Sequence, residues 1–253
     1  MTSDSRHEPA RAVVSLTYDD ALPVHRDAVA PELARLGLSG TFYVPAARDD
    51  LHLALEAWRA VSRMGHELGN HSCWHPCRTR PDWEWKPPYR LEEYTPERVR
   101  DELLLANRIL HLVDGHARRS YGATCGDTDC GPSAESFLPH IADLFAVVRA
   151  GRTTEPVRGP IGPVVPFLPA DGLRAEDVIA VIETMRFDPT SSLVIGFHGV
   201  GEGTHQSYVD AGEHRSLVVW IAAQREWLDA VPVIEASGRR TAPPVTTSPL
   251  TSP

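Results

Sequence analysis

The chain has 253 residues, 42% of them hydrophobic and 23% charged, with a net charge of -9 at neutral pH. That is the composition of a soluble globular protein with room for one large α/β domain or two small ones. The acidic balance argues against nucleic acid, since backbone binding needs a basic face, and no apolar run approaches the ~20 residues of a membrane span.

In chain order, residues 1–11 read as a polar N-terminal extension without the apolar centre of a signal peptide, so the cytoplasm is the default location. The apolar, β-prone run 12–18 predicts a strand that ends on two adjacent carboxylates, Asp19 and Asp20. Like charges side by side are costly unless a cation or a shared proton compensates. Further strands are predicted at 41–44, 66–70, 120–124, 145–149 and 193–198, the last nearly all apolar, as in a strand buried on both faces. Helices are predicted at 31–36, 51–64, 96–113, 134–143, 174–186 and 213–228. The clearest is 96–113, with Thr95 as cap, Pro96 at the first position, an apolar stripe Val99, Leu103, Ala106, Leu110 and Val113, and Gly115 as stop. Strands alternating with helices indicate a parallel sheet, and a doubly wound sheet and a barrel both fit. One domain is assigned to residues 12–235, followed by a disordered tail over 236–253 rich in Thr, Ser and Pro.

Three polar clusters stand at strand ends. Asp19 and Asp20 form one. The second runs from His66 to His75; His71 and His75 are four apart, a spacing that one helical turn would bring to one face. The third is His198, directly after the most apolar strand. Polar residues at the ends of parallel strands gather at one face, where sites form. Two histidines and a carboxylate make a metal site with open positions, one aspartate as ligand and the other as base toward water.

Residues 76–94 hold four prolines with Trp83, Trp85, Tyr89 and Tyr94. This is either a pocket lid or a surface insertion. Cys73, Cys77, Cys125 and Cys130 are read as reduced, partly buried thiols, with a four-cysteine zinc site as the alternative. Arg149 and Arg152 could bind a substrate anion or pair with Asp19.

Leu16-Thr17-Tyr18-Asp19-Asp20 resembles the first motif of the polysaccharide deacetylase superfamily, carbohydrate esterase family 4, whose usual form is Thr-Phe-Asp-Asp-Gly. Leu36–Tyr43 is similar to that family's first helix end and second strand. His71-Ser72-Cys73-Trp74-His75 matches its His-Ser/Thr-x-x-His motif, and Ile195-Gly196-Phe197-His198 its last. The resemblance implies a distorted (β/α) barrel of parallel strands and a metal-dependent deacetylase. Carried over, Asp20, His71 and His75 bind the metal, Asp19 is the general base and His198 the general acid. Zn²⁺ is the first expectation, with Co²⁺, Ni²⁺ or Mn²⁺ also suited. Two departures matter. Ala21 stands where the family has glycine, which implies a differently built turn. The third motif, usually Arg-x-Pro-Tyr-Gly, is altered over Ser120–Asp127. Aligning Cys125-Gly126 with its end makes the Cys125 N–H the oxyanion donor; alternatively Arg118 and Tyr121 match its Arg and Tyr. Cys125, Asp127, Arg149, Trp83 and Trp85 are the candidate oxyanion and substrate residues.

The expected activity is removal of an acyl group, acetyl first, from an amide of a sugar or sugar-like molecule. The rivals are hydrolysis of a non-sugar C–N bond such as a cyclic ureide, a non-catalytic relative, and a lyase or isomerase. The expected partner is a small molecule or oligosaccharide, with neither nucleic acid nor membrane, and a homo-oligomer is left open.

Overall fold

The computed structural model describes residues 10–159 and 161–238. Residues 1–9 of the expected extension and 239–253 of the expected tail lie outside them. Eight parallel strands carry the fold: β1 (Ala12–Asp19), β2 (Gly40–Val44), β3 (Glu67–Asn70), β4 (Ser120–Gly122), β5 (Val147–Arg152), β6 (Val164–Pro169), β7 (Ser192–Phe197) and β8 (Leu228–Ala230). β1 to β7 pair in sequence order, and β7 pairs back onto β1 from Val13↔Ser192 to Tyr18↔Phe197, closing a seven-stranded barrel. The barrel alternative therefore holds over the doubly wound sheet. β1 splays along its other edge. Its first residues, Ala12–Val14, pair with β8, and its last, Leu16–Asp19, pair with β2.

Five helices form the main outer ring: α1 (Ala30–Arg35), α2 (Leu55–Arg63), α3 (Pro96–Asp114), α4 (Ala175–Glu183) and α5 (Ala211–Ala223). α3 follows its sequence signals. Thr95 accepts a hydrogen bond from the Arg98 N–H at 3.2 Å, the expected stripe is buried, and Gly115 ends the helix at φ 77°. The predicted 51–64 helix is broken at Ala54, and 134–143 shrinks to one turn, Leu138–Ile141. A last short helix, Val233–Gly238, runs through the expected start of the tail at Ala236.

β6 and β8 escape the sequence reading. β6 is Val-Val-Pro-Phe-Leu-Pro, and two prolines in a short run argue against a strand. It persists because its pairing with β5 is irregular: the register shifts between Arg149 and Arg152, where Gly151 turns left-handed at φ 77°.

The barrel is a packed core, filled near its carboxyl end by Tyr43, Arg149 and Phe167. Glycine makes room for them. A Cβ on Gly122 would stand 2.7 Å from the Tyr43 ring, and one on Gly196 2.5 Å from Phe167 and 2.8 Å from Arg149. At the amino end, the buried Glu67 accepts from Ser120 N–H at 2.7 Å, Thr41 Oγ1 at 2.8 Å and Ile234 N–H at 3.1 Å, tying β2, β3, β4 and the last helix together. Among the described residues, no helix is long and apolar enough to cross a membrane.

Candidate metal centre and active site

Asp19, Asp20, His71, Gly122, Asp171 and His198 all stand at or just beyond the carboxyl ends of barrel strands. Parallel closure therefore gathers them at one face. Asp20 and Ala21, with φ of 76° and 51°, bend the chain sharply after β1. Ala21 itself takes the left-handed conformation that glycine adopts freely, at the cost of local strain.

His71 and His75 do converge, but not by a helical turn. They sit on a loop bent by two left-handed residues, Ser72 at φ 62° and His75 at φ 56°. Asn70 Oδ1 accepts from the Ser72 N–H at 2.7 Å, and Ser72 Oγ from the His75 N–H at 2.8 Å. The buried Glu102 carboxylate takes the N–H groups of Cys73 and Trp74 at 3.2 and 3.1 Å. The loop is thus held from within and from α3. His71 Nδ1 lies 2.7 Å from the Gly122 carbonyl, which can only accept. Nδ1 therefore carries the proton and the Nε2 lone pair faces the site.

Nε2 of His75 and of His71 lie 3.3 and 3.8 Å from Asp20 Oδ1. That oxygen is buried and has no hydrogen-bond partner. Arg48 Nη1 stands 3.7 Å from it, too far for a hydrogen bond. A buried carboxylate oxygen without a hydrogen bond, set between two imidazoles, is a ready position for a metal cation. The donor set, two nitrogens and an oxygen within 4.8 Å of one another, suits Zn²⁺, Co²⁺ or Ni²⁺. The three residues fit a divalent metal.

Asp19 is clamped from the other side. Arg149 Nη2 lies 2.8 and 2.6 Å from its two oxygens, while Nη1 reaches Thr17 Oγ1 at 3.2 Å. The guanidinium is sandwiched between the rings of Tyr43 and Phe167, 4.6 and 4.2 Å from their centroids. Of the two readings of Arg149, the structure takes the pairing with Asp19; at 1% exposure it does not reach out to a substrate anion. Burial alone would raise the pKa of Asp19, but Arg149, with His71 and His198, holds it far below the usual carboxylate range. Burial pushes His71 down to about 4, so it is neutral and able to ligate.

Opposite stands His198. Its backbone N–H donates to Asp171 Oδ1 at 2.9 Å and its Nδ1 to Asp171 Oδ2 at 2.6 Å. Burial would lower its pKa, but the Asp171 hydrogen bond and the charges of Asp19, Asp171 and Asp20 push it up to about 9. His205 stacks on His198, centroids 5.1 Å apart, with Nε2 3.8 Å from Asp20 Oδ2. Sequence reasoning missed both Asp171 and His205. Asp171 follows β6, the strand its prolines hid, and His205 lies in a glycine-rich loop without a pattern.

The sequence matches the polysaccharide deacetylase family model over residues 6–130. Over these residues the chain is similar to the polysaccharide deacetylase superfamily. Its members are hydrolytic enzymes. A Mycobacterium smegmatis protein assigned to the polysaccharide deacetylases superposes with a TM-score of 0.63 at 17% identity, over 98% of this chain and 96% of that one. A family 4 acetyl xylan esterase from Clostridium thermocellum, solved in complex with a cobalt ion, gives 0.54 at 18% identity over 88% and 89%. A peptidoglycan deacetylase from Bacillus subtilis gives 0.53 at 14% identity over 91% and 92%. These likenesses carry the fold, the (β/α) barrel of the deacetylases. No curated protein matches the sequence significantly.

Against the superfamily pattern, the altered third motif forms a short turn, Thr124–Gly126, in which Cys125 is left-handed at φ 55°. Here the expectation of reduced thiols fails. Cys77 and Cys125 are joined by a disulfide, while Cys73 and Cys130 are free and buried. A C-x₃-C and a C-x₄-C spacing gave no hint of a bridge between the two pairs. Nor does Asp127 present a free carboxylate. It takes Arg80 Nη2 at 2.8 Å and the Arg78 N–H at 2.9 Å, and so braces the loop. In the 76–94 insertion, Trp83 packs on Trp85 at 6.0 Å and under Arg80 at 4.4 Å, and Trp85 remains 43% exposed.

Proposed function

We propose that this deacetylase relative is a metal-dependent hydrolase that removes an acyl group, acetyl first, from an amide of a sugar or sugar-like molecule. The observation that carries this reading is the convergence of His71 and His75 on the buried Asp20 Oδ1, which takes no hydrogen bond. Those three residues would hold a divalent cation, Zn²⁺ by first preference. Bound there, it would supply Lewis acidity, acidifying a water and polarising the acyl carbonyl.

The chain's own groups then divide the proton traffic. Asp19, kept ionised by Arg149, accepts a proton from the attacking water. His198, kept protonated by Asp171, gives one to the leaving nitrogen, so that amide and water become carboxylic acid and amine. The Cys125 N–H is the proposed donor to the developing oxyanion, a role a main-chain group keeps when the motif's side chains change. Trp83 and Trp85 are proposed to stack on the substrate. The substrate is a small molecule or oligosaccharide. A homo-oligomer remains compatible with this reading.

The test is a panel of N-acetyl sugars and cyclic ureides offered to protein loaded with Zn²⁺ or Co²⁺. Acetate release supports the deacetylase. Ammonia or carbamate release from ureides would move the chemistry to another C–N bond.

A further inference from the structure

Successive contacts sew the segment after His75 to the third-motif turn. Thr124 Oγ1 donates to the Pro76 carbonyl. Cys77 and Cys125 form the disulfide. The Arg78 N–H donates to Asp127 Oδ2 at 2.9 Å, and Arg80 Nη2 reaches Asp127 Oδ1 at 2.8 Å and the Cys125 carbonyl at 3.3 Å. Cys77 is fixed further by its own backbone. Its N–H donates to the Tyr89 carbonyl at 3.1 Å, and its carbonyl accepts from the Leu91 N–H at 3.0 Å. The two sulfur-bearing residues are therefore held side by side by bonds that do not involve sulfur.

His75 joins them. Its Nδ1 lies 3.5 Å from Cys77 Sγ, while its Nε2 lies 3.3 Å from Asp20 Oδ1. One imidazole thus faces two clusters, one through each nitrogen. The donor atoms of His75, Cys77 and Cys125 all lie within 4.8 Å of one another.

We propose that reduction of the Cys77–Cys125 disulfide turns this triplet into a second metal site, for a thiophilic cation such as Zn²⁺ or Cd²⁺. A dithiol or phosphine reductant supplies two electrons; the S–S bond breaks and two protons complete the thiols. Metal binding then releases both thiol protons, and two thiolates with His75 Nδ1 leave a fourth position for water. Soft sulfur donors select such cations over Mg²⁺, Ca²⁺ or Mn²⁺. In the disulfide neither sulfur is a thiolate, so the oxidised form has no such site.

The clustering of donors stands apart from the deacetylase reading, but its consequence rests on that reading. A neutral imidazole offers one lone pair at a time, so the two sites compete for His75. A reducing compartment would favour the thiols, and with them this competition.

The experiment is a Cd²⁺ titration of the full chain, after phosphine treatment and removal of the phosphine, beside the untreated protein. The reduced protein should develop a thiolate-to-cadmium charge-transfer band that saturates at one equivalent, and the oxidised protein none. The band should vanish in Cys77→Ser/Cys125→Ser and survive in Cys73→Ser/Cys130→Ser. It should also survive in His71→Ala, whatever that variant does to deacetylation, which separates failure here from failure of the proposed function. Absence of the band from reduced protein would overturn the proposal. So would an equal band in oxidised protein, or loss of the band with Cys73 and Cys130 removed. Should the first double variant not fold, the oxidised-against-reduced comparison and the Cys73/Cys130 variant decide the matter.

Discussion

Asp19 shows how one residue is prepared by its neighbours. Its carboxylate is buried, which alone would favour the neutral acid, yet Arg149 engages both oxygens and keeps it charged. A carboxylate whose folded pKa is depressed adds stability that is full above its unfolded pKa of about 3.9 and fades as pH falls below it. Arg149→Met should leave a buried charge alone and destabilise the protein by about 3–5 kcal/mol. Adding Asp19→Asn should recover part of that loss, because no unpaired charge then remains. Denaturant unfolding of both variants measures this, and equal stability of the single and double variants would contradict it. His198 is tuned in the opposite direction. With its pKa pushed up to about 9 it stays protonated through neutrality and loses its proton only above that pH. In a pH profile of kcat/KM, activity should therefore fall on an alkaline limb near 9. Asp171→Asn should move that limb downward, toward the ordinary histidine value of about 6.5. A limb that stays in place would show that Asp171 does not set it.

At the scale of elements, the sequence was most readable where one local rule suffices. α3 carried its cap, stripe and stop in order. β7 announced itself as a nearly all apolar run. The Asp19-Asp20 pair was legible because two carboxylates at a strand end demand a partner. Long-range pairings were not legible. Nothing near Arg149 in sequence points to Asp19, and nothing in the cysteine spacing joins Cys77 to Cys125. The His71–His75 turn is instructive, since its four-residue spacing suggested a helix and the chain achieves the convergence with two left-handed residues instead. The 76–94 insertion offers a further test. It is stitched to the third-motif turn through Arg78, Arg80 and the disulfide, so its aromatics ride on an anchored loop. Trp83→Ala and Trp85→Ala should raise KM more than they lower kcat. Unchanged kinetics in both would make the pair mere packing.

Across the whole molecule, the candidate chemistry gathers at one end of the barrel and a separate polar network closes the other. The carboxyl ends of the strands carry the candidate metal centre, the Asp19–Arg149 pair and the Asp171–His198 pair. The amino end is closed by Glu67, whose three acceptor bonds join β2, β3, β4 and the last helix. Glu67→Ala leaves two buried donors and one half-buried donor without their acceptor and should cost about 3 kcal/mol. Metal affinity should be unchanged where the variant remains folded, and a lowered affinity would mean that the two ends are coupled. The central claim is that Asp20, His71 and His75 form the site of a divalent cation on which hydrolysis depends. Its most direct measurement is Zn²⁺ binding to the disulfide form, by calorimetry, in wild type and in Asp20→Asn. One equivalent bound by wild type, with affinity strongly reduced in Asp20→Asn, is the predicted result. Equal binding by both proteins, or no binding by wild type, would contradict it.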